Sequence, residues 1–109
     1  MDKRRVYISG PITNNPDFKL KFDNAEKHLK KSFDSVVNPA EVCSFLPMDL
    51  AHDEYMRVCF AMMDLCDCVY FLKEWKYSNG ARQEMIYAKN RGMEIFYENT
   101  SDRIMSDNC

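Results

Sequence analysis

Four short runs of β-branched and aromatic residues, set apart by stretches with helical spacing, constrain this chain more than any single motif. The first run, Arg5-Val6-Tyr7-Ile8-Ser9, ends at Gly10-Pro11, as a strand ends at a turn. Phe18, Phe22, Ala25, Leu29 and Phe33 then recur at helical spacing, with Lys21, Glu26, Lys27, Lys30 and Lys31 between them. That is an amphipathic helix with a solvated charged face. Ser35-Val36-Val37 reads as a second strand stopped by Asn38-Pro39, and residues 40–52 are patterned only well enough for one helical turn and a loop.

From Asp53 the helical pattern returns with two apolar stripes: Met56, Cys59, Phe60 and Met63 on one side, and Tyr55, Val58, Met62 and Leu65 on the other. A helix that is apolar on two sides is covered on two sides. In a domain this small one side covers the sheet and the other suits a second copy, so a homodimer packed through this helix is expected. A wide core face covered by the preceding loop is the other reading of the same pattern. Cys68-Val69-Tyr70-Phe71-Leu72 is an almost continuous apolar run, as in a parallel strand covered on both faces. Ala81, Met85 and Ala88 mark the buried face of a third helix, which ends at Asn90-Arg91-Gly92 with glycine at the left-handed capping position. Met93 to Tyr97 is the last strand, and the tail from Glu98 is polar.

Strand and helix alternate throughout, which with right-handed crossovers predicts a small Rossmann-like or flavodoxin-like α/β sandwich with a four- to five-stranded parallel sheet. With 109 residues the chain is one domain, residues 1–109, with room for a single core. Its formal net charge of -2 supplies no basic field for a phosphate backbone, so polymeric nucleic acid is not an expected partner. The apolar run near the N-terminus is too short for a signal-peptide core or a membrane span. A cytoplasmic protein without a membrane association follows. The five cysteines, Cys43, Cys59, Cys66, Cys68 and Cys109, form neither a disulfide framework nor a zinc-ligand spacing, so buried reduced thiols, no metal and no cofactor are expected.

In such sheets ligands bind beyond the carboxyl ends of the strands, near the switch in strand order. Three loops lie there. The one after the third strand, Ser78-Asn79-Gly80-Ala81-Arg82-Gln83-Glu84, suits a capped helix start: Ser78 or Asn79 satisfies a free amide, and Gly80 lets a ligand approach. A helix N-terminus of this kind attracts anions, though a capped helix with nothing bound fits the same residues. Glu84 lies too far along for a reciprocal capping box, and it shares the face of Ala81, Met85 and Ala88. A carboxylate facing the sheet crevice is a candidate nucleophile or base. The first loop offers Tyr7, Ser9, Gly10 and Thr13, suited to a sugar or base, or else forms a plain turn with its tyrosine in the core. Trp75 either stacks on a base or lids the strand end.

Taken in order, VYISGPIT, VVNPAE, YMRVCFAMMDLCDCVYFL and W-x-x-S-x-G-A-x-x-E resemble the nucleoside 2-deoxyribosyltransferase-like superfamily, which also includes 2'-deoxynucleoside 5'-phosphate N-hydrolases. The resemblance covers residues 4 to 97. It implies that Glu84 attacks the anomeric carbon of a deoxyribosyl group, forming a glycosyl ester that passes to another base or to water. A carboxylate suits that task because the transition state resembles an oxocarbenium ion. The resemblance also implies that Tyr7 positions the carboxylate or sugar, that Gly10 lines the base or sugar pocket, and that Ser78 falls where the hydrolases hold a 5'-phosphate. Ser9, Thr13, Trp75, Asn79 and Gly80 complete the expected nucleoside or nucleotide site, and relatives form dimers or higher oligomers whose sites a neighbour completes.

Two positions depart from the pattern. Cys59 stands where the characterised enzymes carry an aspartate that helps protonate the departing base, and Pro11 stands where the hydrolases have a phosphate-holding serine. A thiol with an ordinary pKa of about 8.5 is a poor general acid for this step. Two functional readings follow: a transferase or hydrolase acting on an N-glycosidic bond, which Glu84 favours, and a non-catalytic protein that senses or sequesters a nucleotide or nucleotide-derived signal, which Cys59 favours.

Overall fold

The computed structural model describes residues 2–12 and 15–98, together with the backbone of residues 105–106. Strand β1 (Asp2–Ser9) is followed by helix α1 (Phe18–Leu29), strand β2 (Phe33–Val37), a short helix α2 (Pro39–Val42) and a 3-10 turn at Cys43–Phe45. Helix α3 (His52–Asp64), strand β3 (Cys68–Phe71), a 3-10 turn at Trp75–Tyr77, helix α4 (Asn79–Asn90) and strand β4 (Glu94–Tyr97) complete the domain. A two-residue strand, β5 (Met105–Ser106), lies at the edge. The sheet order is β2-β1-β3-β4-β5. The first four strands are mutually parallel, as expected, while β5 pairs antiparallel with β4. A fifth parallel strand would need another crossover, and an antiparallel return needs only a turn.

The chain reverses direction across the sheet at β1: α1 leads outward to β2, and the next crossover returns over β1 to β3. Helices therefore cover both faces. Residues alternate between the faces along each strand. Val6 and Ile8 join Cys68, Tyr70 and Leu72 against Phe22, Ala25 and Leu29 of α1. Tyr7 joins Val69, Phe71 and Ile95 against Met56, Cys59 and Met63 of α3 and Met85 and Ala88 of α4.

Some boundaries differ from the sequence reading: β1 begins at Asp2 rather than Arg5, and β2 at Phe33 rather than Ser35. Phe33, counted with the face of the first helix, begins β2, because the helix stops at Leu29 and the chain turns through Lys30–Ser32. The two stripes of α3 are covered unequally: Phe60 stacks on Tyr87 of α4 at 4.3 Å, Met62 is buried, Tyr55 and Val58 are half-buried, and Leu65 is 66% exposed. Helix α4 ends as its sequence predicts, with Gly92 at a φ of +69°, a left-handed conformation that costs glycine little. No helix among the described residues is long and apolar enough to cross a membrane.

Candidate active site

The last residues of β1 and the second turn of α4 meet at the carboxyl end of the sheet. Their alternation along β1 turns Tyr7 and Ser9 toward α3 and α4. Ser78 fixes the start of α4, its Oγ accepting a hydrogen bond from the Ala81 amide at 3.2 Å. From that start Ala81, Glu84, Met85 and Ala88 fall on the buried face. The Glu84 carboxylate thus lies between two hydroxyls of β1: Tyr7 Oη donates to Oε2 and Ser9 Oγ to Oε1, each at 2.6 Å. All three residues are at most 5% exposed. The Cys59 thiol of α3 is buried in the same cluster as Tyr7.

Burial pushes the Glu84 carboxyl above the usual carboxylate range, because the charged form has lost its water. The hydrogen bonds from Ser9 and Tyr7, and to a lesser degree the Cys59 thiol, oppose this by stabilising the anion, and burial dominates. Burial likewise raises the Tyr7 hydroxyl well above its ordinary value, with the adjoining carboxylate adding to the rise. At neutral pH Tyr7 therefore keeps its proton and donates a hydrogen bond to Glu84.

A chain of thiols continues outward from the carboxylate. Cys43 and Tyr55 pack against the core cluster that contains Cys59. These contacts pull the Cys43 thiol down to about 7, chiefly through Cys59. Cys59 moves the other way, raised by that same contact, by burial and by the Glu84 charge. Cys43 and Tyr55 also line a cavity of about 560 Å3 at the carboxyl ends of β1 and β2, together with Ile12, Phe18, Leu50 and His52. Glu84, Tyr7 and Ser9 are not among its lining residues. Cys43 and Tyr55, which line the cavity, pack against the buried cluster that holds Tyr7 and Cys59.

The structure therefore unites Tyr7, Ser9 and Glu84 and places the other expected residues around them. Gly10 follows Ser9, but the space beside its backbone is already filled: a Cβ there would lie 2.8 Å from Leu72 Cδ1. Its lack of a side chain serves the packing of Leu72. A Cβ on Gly80 would meet Met56 Sδ at 3.4 Å, so this glycine brings the start of α4 close to α3. Asn79 is exposed in the first turn of α4, and the Ser78 hydroxyl is engaged as the helix cap. Trp75 is half-buried on the strand ends, 5.1 Å from the Phe71 ring and 6.2 Å from Tyr97, which is the lid rather than a free stacking platform. Thr13 lies outside the described residues, as does Cys109. Sequence reasoning did not single out Cys43, and it read Tyr55 only as part of an apolar stripe. The segment holding Cys43 has no periodicity, so only folding reveals its approach to Cys59.

Fold and site together define a small doubly wound α/β domain with a buried carboxylate at the ligand end of its sheet. Residues 4–97 match the family described as a domain of unknown function, DUF4406, and the chain belongs to that family. Comparison with curated proteins finds no match, and comparison with solved structures finds none.

Proposed function

We propose that the protein cleaves or transfers the N-glycosidic bond of a deoxynucleoside or its 5'-phosphate through Glu84. The observation that carries this reading is the Glu84 carboxylate, buried at the carboxyl end of the sheet with a hydroxyl from β1 on each oxygen. The motif resemblance to nucleoside 2-deoxyribosyltransferases and N-hydrolases supports it. In the first step a carboxylate oxygen forms a bond to the anomeric carbon while the bond from that carbon to the base nitrogen breaks, its electron pair leaving with the base. The negative charge of Glu84 stabilises the cationic sugar before the ester forms. In the second step water or another base displaces the carboxylate. Tyr7 and Ser9 hold the carboxylate in one orientation and keep part of its population ionised against the pressure of burial.

The cavity lined by Cys43, Tyr55 and His52 is the space for the substrate, and a sugar reaches Glu84 from it when the Cys43 and Tyr55 side chains part. A 5'-phosphate suits the start of α4, beside Ser78, Asn79 and Gly80, where backbone amides point outward. A homodimer packed through α3, burying the exposed Leu65, and a cytoplasmic setting belong to the same reading.

A second reading, a nucleotide-binding protein with little turnover, is favoured by Cys59. Its thiol is raised and so is a weak proton donor to a departing base, and loss of a positioned donor typically lowers rate by about 10²- to 10⁴-fold. Incubation with deoxynucleosides and their 5'-monophosphates, followed by chromatography for free base, separates the two. The enzyme reading expects base release that is lost in Glu84→Ala. Release that persists in Glu84→Ala would remove Glu84 as the nucleophile, and nucleotide binding with no base released establishes the second reading instead.

A further inference from the structure

We propose that Cys43 and Cys59 are a peroxide-oxidised thiol pair, Cys43 being oxidised first and Cys59 closing a reversible intramolecular disulfide. The proposal concerns the thiols alone and holds whether or not Glu84 attacks a sugar.

The four cysteines among the described residues are placed very differently. Cys66 and Cys68 are close in sequence but belong to opposite faces of the sheet, Cys66 in the core against α3 and α4 and Cys68 in the core against α1. Their thiols turn to separate backbone carbonyls, Met62 for Cys66 and Arg5 for Cys68. Burial raises both, to about 11 and about 12, so neither supplies thiolate at neutral pH. Cys43 and Cys59, 16 positions apart in the sequence, are neighbours: Cys43 packs against the core cluster that contains Cys59, and each thiol is the largest influence on the other's acidity. Cys43 is half-buried and lines the cavity of about 560 Å3, which admits a molecule as small as hydrogen peroxide. Cys59 is 2% exposed behind it. An accessible, acidified thiol with a second thiol in contact is the arrangement of a redox-responsive pair.

The chemistry balances with hydrogen peroxide as the oxidant. The Cys43 thiolate sulfur attacks one peroxide oxygen, the O–O bond breaks, and hydroxide leaves and takes a proton to become water. Cys43 is then a sulfenic acid. The Cys59 sulfur next attacks the Cys43 sulfur, the S–O bond breaks, and the departing hydroxide leaves as water with the proton from Cys59. Glu84, whose carboxyl is sensitive to the Cys59 thiol, is the base proposed to relay that proton. Two thiols are oxidised and one peroxide is reduced to two waters. Closure ties the 3-10 turn at Cys43–Phe45 to α3.

The full chain, reduced and then treated with hydrogen peroxide, is tested by alkylation with N-ethylmaleimide in denaturant and chymotryptic peptide mass spectrometry; cleavage after Phe60 separates Cys59 from Cys66 and Cys68. The expected result is loss of two alkylatable thiols per chain and a peptide pair joining Cys43 to Cys59, both reversed by dithiothreitol. In Cys59→Ser, Cys43 is captured by dimedone as its sulfenic acid, and in Cys43→Ser, Cys59 stays alkylatable. Because the principal measurement uses the unaltered chain, it stands even if a variant folds poorly. Full alkylation of every thiol, or a disulfide joining any other pair, including one between chains through Cys109, overturns the proposal.

Discussion

The two faces of the sheet share the same strands and differ in what their side chains are asked to do. On the α1 face Val6, Ile8, Phe22, Ala25 and Leu29 interlock with no carboxylate among them. On the α3 and α4 face the same strand β1 contributes Tyr7 and Ser9, and the buried layer holds a carboxylate, a phenol, a hydroxyl and a thiol. Buried polar groups are tolerated where they satisfy one another, and Glu84 is the group on which the two hydroxyls converge. Packing organises one face, and a hydrogen-bonded acid organises the other.

The largest effect should come from the packed face. Phe22 is 1% exposed in that cluster, and Phe22→Ala should lower the unfolding free energy by about 3–5 kcal/mol, measured by urea denaturation. Thiol oxidation in the molecules that remain folded should be unaltered. A cost under about 1 kcal/mol, far below that range for a buried aromatic, would mean that this face does not carry the packing ascribed to it.

The acid face should respond less in stability and more in pH dependence. Tyr7→Phe removes the donor to Glu84 Oε2, at a cost of about 1–3 kcal/mol for a buried group left short of a partner. The pH dependence follows from linkage. Because Glu84 is raised in the folded protein, the folded state binds more protons than the unfolded one across the interval between the two pKa values. Its stabilising contribution is full below the ordinary carboxylate pKa and is lost as pH rises through the raised folded value. Tyr7→Phe should extend that loss to higher pH. Glu26 supplies the opposite case: Lys30 and Asn38 lower its pKa, so its contribution is lost as pH falls through the lowered value. Unfolding midpoints across a pH series check both slopes, and a rise in stability with pH that Glu84→Gln abolishes would contradict the sign given to Glu84.

Much of this contrast was legible in the sequence, because it rests on short-range periodicity. Alternation along Arg5 to Ser9 put Tyr7 and Ser9 on one side, and helical spacing put Glu84 with Ala81, Met85 and Ala88. The Ser78 cap was readable from its side-chain chemistry. What escaped depends on contacts across the fold. Gly10 read as a place for a ligand to approach, and its contact with the Leu72 side chain, which lies where a Cβ would stand, is a packing role that local sequence does not reveal. Phe33 continued the helical spacing of α1 by coincidence, since nothing in an i+4 interval reveals that the chain has already turned into β2. Cys43 and Tyr55 join the site from an unpatterned segment and a helix stripe, and only the packing of α3 against the strand ends brings them against the buried cluster.

The central claim is that Glu84 is a nucleophile toward a deoxyribosyl group, and it is tested most directly by trapping the ester. The protein is mixed with a deoxynucleoside or deoxynucleotide, quenched in acid, digested with trypsin and mapped by mass spectrometry. Cleavage after Arg82 and Lys89 isolates residues 83–89, whose only carboxylate side chain is Glu84. The account predicts that this peptide gains one deoxyribosyl group, with its 5'-phosphate when the substrate carries one. Free base released while the peptide keeps its unmodified mass and another peptide carries the sugar would contradict it.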